Sequence, residues 1–147
     1  MVQTVRAVPE GYRTVTQSLV AVGADRFLDF LRRAFGAREV VMFRMPDGSV
    51  GHAEVLIGDS RIMLGEASPE WPAMPGRGYM YVSDADEVYR QALAAGAVSV
   101  RELKDEFYGN RVGAVRDPFG NVWTIATHKE DVSEEEMRRR MAAQASP

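Results

Sequence analysis

At 147 residues, 46% hydrophobic and 27% charged, the chain can bury one good core and is too short for two ordinary domains, so a single domain over 1–147 is expected. The absence of cysteine excludes disulfides and thiolate metal sites. A formal charge of −3 argues against a nucleic-acid surface, and no apolar run reaches the roughly 18 residues of a membrane span.

The opening MVQTVRAVPEGY has no basic start followed by an apolar core, so no signal peptide is expected and a cytoplasmic location is the default. Thr14 to Val22, rich in β-branched residues, reads as a strand. Phe27, Leu28, Leu31, Ala34 and Phe35 recur at helical spacing over Ala24 to Phe35, and Gly36 closes that helix. Strands follow at Glu39 to Met45, Gly51 to Ile57 and Arg61 to Gly65, separated by turns at Pro46-Asp47-Gly48 and Gly58-Asp59. The stretch from Ala67 to Gly78, with three prolines and two glycines, reads as an irregular connection. Then come a strand at Gly78 to Val82, a helix at Ala85 to Ala95, and strands at Val98 to Lys104, Arg111 to Arg116 and Asn121 to Thr127. Ser133 and Glu136 stand in capping-box spacing before a final helix over about 133–144.

The chain nearly repeats itself. Leu19 to Val41 lies over Tyr79 to Arg101 at a shift of sixty residues throughout, with Gly36-Ala37 on Gly96-Ala97. This predicts two copies of one βαβββ unit, at about 14–66 and 78–128, joined by 67–77. In the second copy, Asp117, Pro118 and Gly120 predict a tight turn that returns the last strand antiparallel to Arg111–Arg116.

Two βαβββ modules, a Gly-Ala end to each helix and the DPFGN turn before the final strand resemble the vicinal oxygen chelate superfamily, which includes glyoxalase I, bleomycin-resistance proteins and extradiol dioxygenases. Within it, Glu10–Thr16, Phe30–Ala37, Gly51–Leu64 and Arg116–Arg140 resemble the branch labelled 3-demethylubiquinone methyltransferase-like. No glycine-rich loop follows a strand and opens a helix, so nothing resembles an S-adenosylmethionine site. The resemblance implies an α+β, glyoxalase-like fold in which a curved mixed sheet forms a cup. It also implies a homodimer and, in metal-dependent members, four ligands from the first and last strands of each module. Those places fall at or beside Thr16, Met63, Gly78 and Thr124, none of them a good divalent-metal ligand, so no metal and no other cofactor is expected.

His52 and Glu54 share one face of a strand, about 6.5–7 Å apart. They could serve as an acid/base pair, although the plainer reading is a solvated, outward-facing pair. Thr16, Ser18 and Thr124 are candidates to line a ligand pocket, as are Met63 and Met80, for which ordinary core packing is the plainer reading. Trp71, Phe107 and Tyr108 fall in loops, where they would form a pocket rim or a subunit contact, or simply anchor the loop.

Two functions follow. The first is a metal-independent protein that binds a small aromatic or amphipathic molecule. The alternative is a lyase or isomerase that uses His52 and Glu54 or a relocated metal site.

Overall fold

The computed structural model describes residues 4–145. The elements run β1 (Gln17–Ala21), α1 (Ala24–Phe35), β2 (Arg38–Arg44), β3 (Val50–Ile57) and β4 (Ser60–Glu66), followed by β5 (Arg77–Tyr81), α2 (Ala85–Ala94), β6 (Val98–Asp105), β7 (Asn110–Arg116) and β8 (Val122–His128), and end with α3 (Glu134–Ala145). This is the α+β, glyoxalase-like arrangement of two βαβββ modules with an added C-terminal helix. Two compact units result: one runs to Arg32 and resumes at Gly36–Met74, and the other takes Arg33–Phe35 and everything from Pro75.

Each unit holds one four-stranded mixed sheet, in the order β1-β4-β3-β2 or β5-β8-β7-β6. The first strand pairs parallel to the fourth, and the remaining pairs are antiparallel. β1 is shorter than the predicted strand because β4 offers it partners only from Ile62 to Glu66, which leaves Thr14–Thr16 outside the ladder. The sheet edges β2 and β6 carry bulges at matching places, between Glu39 and Val41 and between Ser99 and Arg101. Bulges and the charged residues of β6 protect these edges from further pairing.

In the first unit Leu19, Ala21, Ala53, Val55, Ile62 and Leu64 alternate along β1, β3 and β4 and are buried with Phe27, Leu28 and Leu31 of α1. Glu66, on the same face of β4, accepts the amides of Gly23 (2.8 Å) and Ala24 (3.1 Å) at the start of α1. This face is therefore the helix face of the first sheet. The second sheet is built alike. Thr127 Oγ accepts the Ala85 amide at 2.9 Å, so Trp123, Ile125 and Thr127 lie on the face that α2 covers.

Matching the two sheets by helix face corrects the uniform sixty-residue shift. The pair Ser18–Met63 corresponds to Tyr79–Thr124, a shift of sixty-one, whereas Val41–Glu54 corresponds to Arg101–Ala114, a shift of sixty. Both changes have local causes. α1 spans twelve residues before Gly36, while α2 ends at Ala94, two residues before Gly96. Between β7 and β8, Asp117 and Asn121 flank three turn residues, where Ile57 and Ser60 flank two between β3 and β4.

That longer turn is organised by one side chain. The Asp117 carboxyl, 3% exposed, accepts from the backbone amides of Phe119 (2.8 Å) and Asn121 (2.9 Å), from Asn121 Nδ2 (3.0 Å) and from Trp123 Nε1 (2.8 Å). Asp117→Ala leaves these donors unpaired in a buried place. It is expected to cost about 2–4 kcal/mol in urea unfolding and to reduce the near-ultraviolet dichroism of Trp123. Asp117→Asn, which keeps one accepting oxygen, should cost less; equal midpoints for wild type and Asp117→Ala would show that the turn does not depend on this carboxyl.

Candidate functional site

The face of the first sheet opposite α1 carries a row across three strands, in which Ser18 of β1 pairs with Met63 of β4 and Met63 with Glu54 of β3. Glu54 is 5% exposed, so the expectation of a solvated polar pair is wrong for this residue. Three donors surround its carboxylate. Tyr12 Oη donates to Oε1 at 2.6 Å, Arg61 Nη1 to Oε1 at 2.8 Å, and His52 Nε2 lies 2.7 Å from Oε2. Arg61 is brought there by β4, and its guanidinium also stacks on the Tyr12 ring at 4.1 Å and reaches the Gly11 carbonyl. Tyr12 itself stands on a turn closed by its amide on Pro9.

Burial disfavours the charge on Glu54, but the hydrogen bonds from Tyr12, His52 and Arg61 outweigh it and hold the carboxyl below the usual Glu range. The hydroxyl of Tyr12 titrates above the ordinary tyrosine value, chiefly because it donates to that carboxylate. An ionised carboxylate can only accept, so His52 directs Nε2–H at Glu54. In the neutral ring Nδ1 is then an acceptor, and it has no hydrogen-bond partner among the described residues.

The equivalent face of the second sheet is chemically different. Tyr79 pairs with Thr124 and Tyr81 with Ala126, so both rings stand on the face away from α2. Their centroids are 5.3 Å apart, and the side chains are exposed by 50% and 65%. Asn110, buried at the start of β7, places its amide nitrogen 3.2 and 3.3 Å from their hydroxyls and its oxygen 2.9 Å from His128 Nδ1. Tyr108 is half-buried beside this group and makes an edge contact with Phe107. Burial, followed by the neighbouring Tyr79 and Glu106, raises the pKa of its hydroxyl.

The sequence candidates thus divide. His52, Glu54, Ser18 and Met63 come together in the first unit; in the second, Thr124 pairs with Tyr79, and Tyr108, in contact with Phe107, also neighbours Tyr79. Thr16 lies just before β1, beyond its pairing. Met80 pairs with buried Ile125 on the helix face, away from Thr124. Trp71 stays on its loop, 65% exposed, and therefore does not anchor that loop by burial. Tyr12, Arg61, Tyr79, Tyr81 and Asn110 were missed. Alternation with Met80 could have revealed the two tyrosines, whereas nothing local ties Tyr12 to Glu54.

The ligand places implied for metal-dependent relatives lack suitable metal donors. Gly78 faces the helix side, where a Cβ would lie 2.7 Å from the Trp123 ring, and the open-face position falls to Tyr79. Ser18, Met63, Tyr79 and Thr124 offer hydroxyls, a thioether and a phenol, which do not fit a Zn, Ni or Fe(II) site. Among the described residues, no group of three or more His, Asp or Glu side chains is placed to hold a metal ion.

The model of the Glyoxalase/Bleomycin resistance protein/Dioxygenase superfamily matches residues 15–125. The chain belongs to this superfamily. An uncharacterized protein of Mycobacterium bovis is 31% identical over 137 residues, covering 86% of this chain and 90% of its own. Among solved structures, TioX from Micromonospora sp. ML1 has a TM-score of 0.68 at 28% identity, over 80% of this chain and 99% of its own. A gene product of Arabidopsis thaliana has a TM-score of 0.64 at 25% identity, over 78% and 98%. These matches support the superfamily; the methyltransferase-like branch rests on sequence resemblance alone. Among the described residues, no helix is long and apolar enough to cross a membrane.

The Glu54 cluster has a pH signature. Because the folded pKa is lowered, its contribution to stability is present above the unfolded Glu value of about 4.3 and is lost as pH falls through the folded value. In urea unfolding, Glu54→Gln should therefore be about 2 kcal/mol less stable than wild type at pH 7, and the gap should narrow below about pH 4. A gap that is constant from pH 7 to pH 3 would mean that the carboxylate charge is not what holds the cluster.

Proposed function

We propose that this superfamily member is a small-molecule binding protein that works without a metal and takes its ligand on the Tyr79–Tyr81 face of the second sheet. One observation carries the reading: two neighbouring tyrosines remain at least half exposed while buried Asn110 positions their hydroxyls. Aromatic rings prearranged in this way offer apolar area at low entropic cost, with hydrogen-bonding groups beside it. Thr124 lies next to Tyr79, and Tyr108 borders the same group. An aromatic or amphipathic ligand suits this surface. The family resemblance adds the proposal of a homodimer, which light scattering would test.

The test begins with a thermal-shift screen of small aromatic compounds, together with chelation and add-back of Ni, Zn, Mn and Fe(II). A ligand of the native state raises the midpoint according to RT ln(1 + [L]/Kd). Aromatic hits should lose at least tenfold in affinity in Tyr79→Ala and Tyr81→Ala, and no metal should shift the midpoint. A stoichiometric metal with a selective shift, or hits indifferent to both tyrosines, would defeat the reading.

The buried Glu54 beside half-buried His52 favours a second reading, in which His52 transfers a proton as in a lyase or isomerase. It predicts that His52→Ala abolishes turnover and leaves affinity within a few-fold. If His52→Ala changes neither turnover nor binding of any converted compound, the cluster is structural.

A further inference from the structure

A groove of about 600 Å³ lies at one end of the first sheet, wholly within the first unit. One wall is the β2–β3 turn with Met45, Asp47 and Ser49; the other is the start of the connecting segment with Glu66, Ser68 and Trp71. We propose that this groove is a binding site for a planar, cationic aromatic molecule that stacks on the Trp71 indole.

The Trp71 backbone is held in place. The Ala67 amide is bonded to the Ala21 carbonyl at 2.9 Å, and Met74 forms a bridge to Val20, so both ends of the segment are pinned to β1. Between those points a turn is closed twice, by the Ser68 amide on the Trp71 carbonyl (2.9 Å) and by the Trp71 amide on Ser68 Oγ (3.1 Å). Holding a tryptophan on a pinned turn with 65% of it exposed forgoes the gain of burying the indole, and the Met45 side chain is also 54% exposed. Gly51 keeps the groove floor low beside Met45, because a Cβ there would lie 2.9 Å from the Met45 sulfur. An indole face and a polarisable thioether both favour a flat ring.

Charge selects the sign of the ligand. The lining residues include the acids Asp47 and Glu66 and no Lys or Arg. Glu66 is committed to the amides of Gly23 and Ala24, and Asp47 accepts from the amide and hydroxyl of Ser49 through one oxygen, Oδ1. Arg44, the cation bonded to this turn through the Gly48 carbonyl, is tied to Asp25 by two contacts of 2.9 and 3.0 Å. A cationic ring gains both from the indole quadrupole and from Asp47, whereas an anionic ring keeps the stacking but is repelled by Asp47.

Proflavine, a flat cationic acridine, is the probe, with 1-anilinonaphthalene-8-sulfonate as its anionic counterpart; fluorescence anisotropy reads binding of each to the whole chain. Proflavine should bind saturably. Affinity should fall at least tenfold in Trp71→Ala and about threefold in Asp47→Asn, and should weaken with salt. Far-ultraviolet dichroism of each variant checks folding, and Trp71→Phe, which keeps a ring, should retain most of the affinity. Undiminished binding in Trp71→Ala, or equal affinity for the anionic dye, overturns the proposal. So does a probe-free blue shift of tryptophan emission with rising protein concentration, since a second copy would then be covering Trp71. The site shares no residue with the Tyr79–Tyr81 face, so its failure leaves the proposed function standing, and the reverse also holds.

Discussion

The buried carboxyl of Asp117 decides where the last strand begins. By taking two turn amides, the Asn121 side chain and the Trp123 indole, it stabilises a turn with one residue more than the corresponding turn of the first module. That residue advances β8 by one position relative to β4. In a strand a shift of one position exchanges the faces, so Trp123 goes under α2 and Thr124 goes to the opposite side. β5 is in the matching register, with Gly78 leaving room for the Trp123 ring and Tyr79 beside Thr124. The turn therefore decides that Thr124, and not Trp123, shares a face with the aromatic pair.

The two modules share a scaffold and not a chemistry. Glu54, His52 and Arg61 occupy places taken in the second module by Ala114, Val112 and Val122, as the paired registers show. A buried carboxylate is tolerable only when its lone pairs are filled, and two strands cannot supply every donor. The chain before β1 provides the missing one through Tyr12. The second module places no charge at these positions and needs no such segment, which leaves its open face to neutral rings. Superfamily membership fixes the scaffold; the difference between faces bears on function.

Much of this architecture was legible. α1 was placed residue for residue because its apolar spacing and the terminal Gly36 agree, and the strands were found to within a few residues from β-branched runs bounded by turns. The capping of α3 by Ser133, whose hydroxyl accepts the Glu136 amide, was also readable. The exact shift between modules was not. Matching identical residues aligned Gly36 with Gly96, yet the shorter α2 changes the shift before that glycine and the Asp117 turn changes it again afterwards. Sequence identity weights the caps, whereas side-chain direction depends on the count between them. Glu54 was misread for a related reason: alternation along β3 assigns its face, and only contacts made forty-two residues away reveal that the face is closed.

The same geometry bears on how the first module could act chemically. A carboxylate that accepts from a phenol, a guanidinium and an imidazole is held ionised and is poorly available to take a further proton. Glu54 is therefore better suited to orient His52 than to serve as a base. With Nε2–H committed to Glu54, the ring can exchange a proton with an outside molecule only through Nδ1, and the 42% exposed side chain leaves room for one to approach. This division resembles the orienting acid and working imidazole of hydrolytic triads, without a nucleophile. The cluster can bind or move a proton at one defined nitrogen. A chemistry that requires two acid/base groups would have to draw its second from the ligand or from solvent.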